Sequence, residues 1–145
     1  MNLFGMLGVS TSALTAERQR AEVVTANMAN AETTRTEAGG PYRRKLVVFR
    51  SQGPRTFPQM LNVSFGIQLE SGVKVAGVVE DPAPPEMRFD PGHPDADAKG
   101  FVAYPNIDPV KEMADLMSAV RAYELNSSAV QATKQMIQQA IEILR

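Results

Sequence analysis

His93 is the only histidine in the chain, and it lies in the most acidic loop-like stretch, Asp90-Pro-Gly-His-Pro-Asp-Ala-Asp-Ala-Lys-Gly100. An imidazole with several carboxylates nearby is raw material for a metal site or an acid–base centre. Asp95, Asp97 and Gly100 match the first, third and sixth positions of a calcium loop. The pattern then breaks. Lys99 stands at the fifth position, and Asn106 stands where the bidentate glutamate belongs. The expectation is a tight loop whose aspartates accept hydrogen bonds from neighbouring backbone.

Little other chemistry can be assembled. The chain has no cysteine, which excludes thiol nucleophiles, zinc thiolate sites and disulfides. One histidine leaves little material for a nucleophile with a base and an orienting partner. No glycine-rich loop precedes a helix to cradle phosphate. Ser127 and Ser128 lie in mid-helix, and Glu17, Glu22 and Glu124 are spaced as solvated helix faces. The reading is therefore no enzyme, no catalytic residue, no cofactor and no metal. Arg43, Arg44 and Lys45, with Arg50 and Arg55, form the one basic cluster. It fits a solvated strand face, or a contact with an acidic partner or an anionic polymer. The formal net charge of −1 gives no general pull toward nucleic acid or anionic membrane. The longest apolar runs, such as Leu46 to Phe49, fall far short of the ~20 residues a membrane span needs. No basic residue precedes Arg18, so the charged start of a signal peptide is missing. Composition alone reads as cytosolic.

The elements that must position these residues divide sharply. All ten prolines lie between Pro41 and Pro109, and eight of ten glycines between Gly39 and Gly100. The ends are thus helix-compatible and the middle is turn-rich. From Asp108 to Arg145, Met113, Leu116, Val120, Tyr123, Ser127, Val130, Lys134, Ile137, Ile141 and Leu144 recur at alternating steps of three and four, the spacing of a coiled-coil seam. Asp108 is a good N-cap with Pro109 in the first helical position. Glu112 and Asp115 sit at the positive end of the helix dipole, and Arg145 at the negative end. A helix of this length is about 55 Å long, and its narrow stripe needs a second helix alongside.

The only internal candidate runs from Phe4 to Ala31, where Leu7, Leu14, Ala21 and Met28 repeat every seven residues, with Phe4, Val24 and Ala31 on the same side. Gly5 and Gly8 weaken its first turn, placing the firm start near Ser10. Between the helices, Tyr42–Phe49, Val73–Val79, Met87–Phe89 and Phe101–Tyr104 read as short strands, with a bulge or close backbone approach at Gly77. Pro82 to Pro85 is extended, and residues 51–72 are ambiguous. The fold class is α+β. Long N- and C-terminal helices pack as a coiled-coil-like pair around a small β-rich, Pro/Gly-rich middle, divided as 1–34, 35–107 and 108–145.

The first helix closes with Val23-Val-Thr-Ala-Asn27-Met28-Ala29-Asn30-Ala-Glu-Thr33. Asparagine suits a helix end, because it caps and tolerates left-handed backbone. This segment, with Ala13 ten residues before Val23, resembles the N-terminal signature of the bacterial flagellar axial proteins of rod, hook and hook-associated structures. Glu32 departs from it, since the family has a small residue or aspartate there. The stretches Ser12–Ala16, Pro41–Phe49 and Asp90–Asp108 followed by Glu112-Met113 resemble the short proximal rod members of that family.

The resemblance implies a structural subunit of a hollow rod that crosses the periplasm and transmits torque. Its partners would be copies of itself, other rod proteins, the MS-ring and export-gate side of the basal body, and the flagellar type III export apparatus, which needs no cleaved signal peptide. This replaces the cytosolic reading. The expected subunit contacts are Leu7, Leu14, Ala21 and Met28 with Met113, Leu116, Val120, Tyr123, Val130, Ile137, Ile141 and Leu144. A periplasmic cell-wall accessory enzyme using the Asp90–Asp97 loop, and a binding module or export chaperone presenting its helix, are the alternatives. Catalytic poverty counts against the first, and the β-rich middle with Asn27 and Asn30 against the second.

Overall fold

The computed structural model describes residues 3–52 and 72–143. Helix α1 spans Leu3–Ala29 and helix α2 spans Pro109–Ile143, with strands β1 (Lys45–Ser51), β2 (Val73–Glu80), β3 (Glu86–Phe89) and β4 (Phe101–Tyr104) between them. Each strand pair forms its own two-stranded antiparallel sheet, β1 with β2 and β3 with β4. The expected α+β arrangement of two long terminal helices and a small sheet-containing middle is what the chain adopts. Leu144, Arg145 and Arg55 lie outside the described residues.

Helix α2 starts where its signals place it. Asp108 accepts from the Val110 amide through Oδ1 (3.0 Å), and its carbonyl accepts from Glu112 N at 3.0 Å. Helix α1 starts at Leu3 rather than near Ser10, running through both early glycines. Two such glycines cost roughly 1 kcal/mol each, and packing of the half-buried Leu3, Leu7 and Ser10 outweighs it. The helices run antiparallel, since Asn27 near the end of α1 meets Glu112 in the first turn of α2, and Arg20 meets Asp115 farther along. At that register Leu3 lies near the level of Met136, so the end of α2 projects past α1.

In the first sheet Val48 pairs with Gly77 and Phe49 with Val75. Ala76 is therefore the extra residue of a bulge, beside the glycine that marked it. No atom approaches the position of a Gly77 Cβ within 4 Å, so the expected close backbone approach is not there. In the second sheet Phe89 and Phe101 stack edge to face at 5.4 Å. Val102, Pro105 and Ile107 are buried on the inner side.

The seam of α2 is not the one the heptad count gives. Leu116, Val130 and Ile137 turn inward, but the second line of contacts is Glu112, Ala119, Asn126 and Thr133, one residue earlier at each step. Met113 and Val120 are 54% and 44% exposed, and Tyr123, Lys134 and Ile141 are exposed with them, while Ser127 is half-buried. Half a residue step corresponds to a rotation of about 50°. On α1, Leu7, Leu14, Ala21 and Met28 are half-buried, while Ala16, Val24 and Asn27 form the buried line.

Candidate functional site

After α1 the chain turns on Asn30, whose Nδ2 donates to the Ala26 carbonyl (2.9 Å) and whose Oδ1 accepts from the Thr33 hydroxyl (3.2 Å). Gly39 and Gly40, at φ of 85° and 75°, reverse the chain where a Cβ would be strained. Tyr42 N then donates to Thr33 O at 3.0 Å. This brings Tyr42, Arg44 and Lys45 back against the end of α1.

There they meet Asn27 and Glu112, each 1% exposed. Asn27 Nδ2 donates to the Lys45 carbonyl (2.8 Å) and to Glu112 Oε2 (3.0 Å). Its Oδ1 accepts from Lys45 N (2.9 Å) and from the Tyr42 hydroxyl (3.2 Å). Both ends of the amide are thus satisfied, which fixes its orientation. Arg44 Nε donates to Glu112 Oε1 at 2.6 Å, and Arg44 Nη2 pairs with the same oxygen and with Asp115 at 3.5 Å. Arg44 Nη1 lies 3.8 Å from Asp81, and Arg20 reaches Asp115 from α1 at 3.3 Å. One network therefore ties α1, β1, the end of β2 and α2. Burial, then the Glu112 and Glu80 carboxylates, hold the Tyr42 hydroxyl above its ordinary value of 10.0, so the phenol stays a donor.

Several expectations change here. Asn27 is not a left-handed helix terminator, and among the described residues no non-glycine has positive φ. It is a buried cross-link, whereas Asn30 caps the helix end as expected. The basic cluster is divided, with Arg43, Lys45 and Arg50 exposed and Arg44 turned inward. Arg44 is spent on internal carboxylates, Lys45 lies over the Tyr42 ring at 5.6 Å, and Arg43 is exposed. Glu112 does more than complement the helix dipole. The signal for it was a carboxylate on the line Glu112, Leu116, Ala119, legible only once that line is counted against the more apolar one.

The acidic loop joins β3 to β4. Asp97 Oδ1 accepts from Lys99 N (2.8 Å) and Phe101 N (2.9 Å), and Asp90 Oδ1 accepts from Gly92 N (3.3 Å). His93 Nδ1 accepts from Asp95 N at 3.1 Å. These are the turn-capping roles the sequence suggested. Asp95 adds a tertiary one, accepting from the Thr34 hydroxyl at 2.8 Å with Arg35 at 3.5 Å, which pins the hairpin to the segment after α1. Among the described residues no three of His, Cys, Asp and Glu converge to hold a metal, and no helix is long and apolar enough to cross a membrane. What the geometry offers is a structural junction and long exposed helix faces.

Comparison with known proteins points the same way. The family model described as flagella basal body rod protein matches residues 7–35, and that described as flagellar basal body rod FlgEFG protein C-terminal matches residues 98–143. These two segments carry Asn27 and Glu112, the pair that meets at the junction. The flagellar basal-body rod protein FlgC of Bacillus subtilis is 46% identical, covering 99% of both chains. FlgC of Borreliella burgdorferi is 40% identical, over 100% of this chain and 99% of its own. FlgC of Aquifex aeolicus is 35% identical, over 98% and 97%.

Proposed function

The chain belongs to the FlgC family of flagellar basal-body rod proteins, and from that membership we propose that it is built into the proximal part of the rod through its terminal helices. It is a structural subunit of the rod. In the proposed arrangement the helix pairs of successive copies and of other rod proteins pack around a channel. The assembly crosses the periplasm from the MS-ring and export-gate side and transmits torque. Subunits reach it unfolded through the flagellar type III export apparatus, without a cleaved signal peptide.

The carrying observation is the outer side of α2. Val110, Met113, Met117 and Val120 follow one another at steps of three and four, all exposed. Phe4, Met6 and Val9 are exposed on α1. Exposed apolar side chains of this kind on a helix pair are stabilised when neighbours cover them. Contacts of one face against a different face on the next copy build an open helical assembly.

Val120→Asp tests the proposal. In the monomer the side chain reaches solvent, so the fold should change by no more than about 0.5 kcal/mol. At a subunit contact the carboxylate would be buried without a partner, at a cost of several kcal/mol. The variant should be exported and melt like wild type, yet be missing from purified basal bodies. Normal motility would refute the assignment of this face.

A further inference from the structure

Two lines on α2 compete for the inward position. Met113, Val120 and Ile141 make one line the more apolar even with Ser127 and Lys134 on it, while Glu112, Ala119, Asn126 and Thr133 make the other the more polar and smaller. Both share Leu116, Val130 and Ile137, so apolar burial alone would turn the first line inward. The structure turns the second inward, with Glu112, Ala119 and Thr133 at 1%, 0% and 3% exposure. We infer that the buried Asn27–Arg44–Glu112 network sets the rotation of α2, holding its more apolar line outward for the terminal helices of neighbouring rod subunits. This deepens the rod-subunit reading and rests on it.

The physical argument has three steps. Glu112, 1% exposed, cannot rotate outward without giving up its bonds to Arg44 and the Asn27 amide, which would leave Arg44 only the longer contacts to Asp115 and Asp81. Those donors are fixed in turn, because Asn27 also holds Lys45 N and O at 2.9 and 2.8 Å. The network thus reads orientation and not merely proximity, since one residue step would carry the carboxylate off both partners. Ala119, two turns on from Glu112, is small enough to let the helices close on that face. A buried polar residue that fixes helix register at some cost in stability is an established device in coiled coils. Here the consequence is different. The stripe withheld from the monomer is the one left for assembly.

The chain has no cysteine, so a single introduced thiol reports cleanly on rotation. Val120→Cys and Thr133→Cys are made separately in the full-length chain and reacted with a maleimide. With the network intact, Val120→Cys should react at least about tenfold faster than Thr133→Cys, because a buried thiol waits for local opening. In the Arg44→Met/Glu112→Met background, shown to be folded by its helical circular dichroism and melt, the ratio should invert. Incorporation into basal bodies should fall with it. Asn27→Leu offers a second route to the same inversion.

If either folded background keeps the parent ratio, the network does not set the rotation and the inference fails. If the ratio inverts while incorporation stays normal, the outward line is not what neighbours require, and it fails on that side. The labelling ratio is read on free protein, so it stands apart from the rod-subunit reading. That reading is tested by Val120→Asp alone.

Discussion

Removing Arg44 should cost far more than removing Arg44 and Glu112 together. Glu112 is 1% exposed, and Arg44 supplies its charge-assisted partners through Nε at 2.6 Å and through Nη2. In Arg44→Met the carboxylate keeps only the Asn27 amide at 3.0 Å. Breaking a buried pair from one side costs about 3–5 kcal/mol, and the remaining amide donor places this case near the lower end, about 3 kcal/mol. The reverse change is milder. In Glu112→Met the guanidinium, whose side chain is 23% exposed, still has Asp115 at 3.5 Å and Asp81 at 3.8 Å, so about 1.5 kcal/mol is expected. Methionine fills the vacated space with an adaptable apolar chain, so the double variant should lose no more than about 1.5 kcal/mol. The coupling is then about 3 kcal/mol against additivity. For a chain of this length, 3 kcal/mol lowers the melting temperature by roughly 6–12 °C. Urea titrations of the four proteins, followed by circular dichroism, measure the cycle. Additive losses would show that Arg44 and Glu112 do not act as one unit.

Four further outcomes follow from the geometry. Gly100→Ala should destabilise by about 2 kcal/mol, because φ is 82° and a Cβ would lie 2.9 Å from the Phe89 ring. Gly8→Ala, with open space at its Cβ inside a helix, should stabilise by about 0.5–1 kcal/mol; equal signs in paired melts would refute the distinction. The raised Tyr42 pKa favours the neutral phenol in the folded state. Its contribution is therefore complete below about pH 10 and lost as pH rises through the folded value, so wild type should lose stability above pH 10 more steeply than Tyr42→Phe. Parallel alkaline curves would contradict this. Asp95→Ala with Asp97→Ala should cost about 1–2 kcal/mol through lost turn caps and the Thr34 contact, with no dependence on calcium. A calcium-induced rise in the wild-type melting temperature that vanishes in the double variant would instead revive a metal role for the loop.

The elements were legible where local signals coincide. Asp108 and Pro109 announce the start of α2, the proline and glycine distribution separates the middle from the ends, and Gly77 marks the bulge now seen at Ala76. The rotation of α2 was not legible from its periodicity, because Leu116, Val130 and Ile137 belong to both candidate seams. Choosing between the seams depends on partners 68 and 85 residues away, Arg44 and Asn27. Spacing within one helix carries no information about them. Asn27 was visible as part of a signature, but a helix-end asparagine and a buried cross-link look alike until the strand carrying Lys45 is placed beside it. Helix α1 begins at Leu3, close to the Phe4 start of its apolar pattern, and is firm through Gly5 and Gly8, where propensity alone weakens it.

A polar junction is a costly way to hold two helices together if stability is the only aim. Among the described residues the buried apolar side chains are few and mostly small, with Ala16, Ala119, Val24, Val102 and Ile107 chief among them. Replacing the junction with apolar residues of like volume should leave the monomer little changed. Its value must then lie in what it specifies. A hydrophobic seam accepts several rotations at similar free energy, whereas the Asn27 amide and the Glu112 carboxylate are satisfied in one. A subunit that joins an open helical assembly needs that choice made before its neighbours arrive. Had α2 already turned Met113 and Val120 against α1, the monomer would gain apolar burial and the next subunit would lose it. On this reasoning the free chain and the assembled rod draw on the same apolar area, and the network settles which of them receives it.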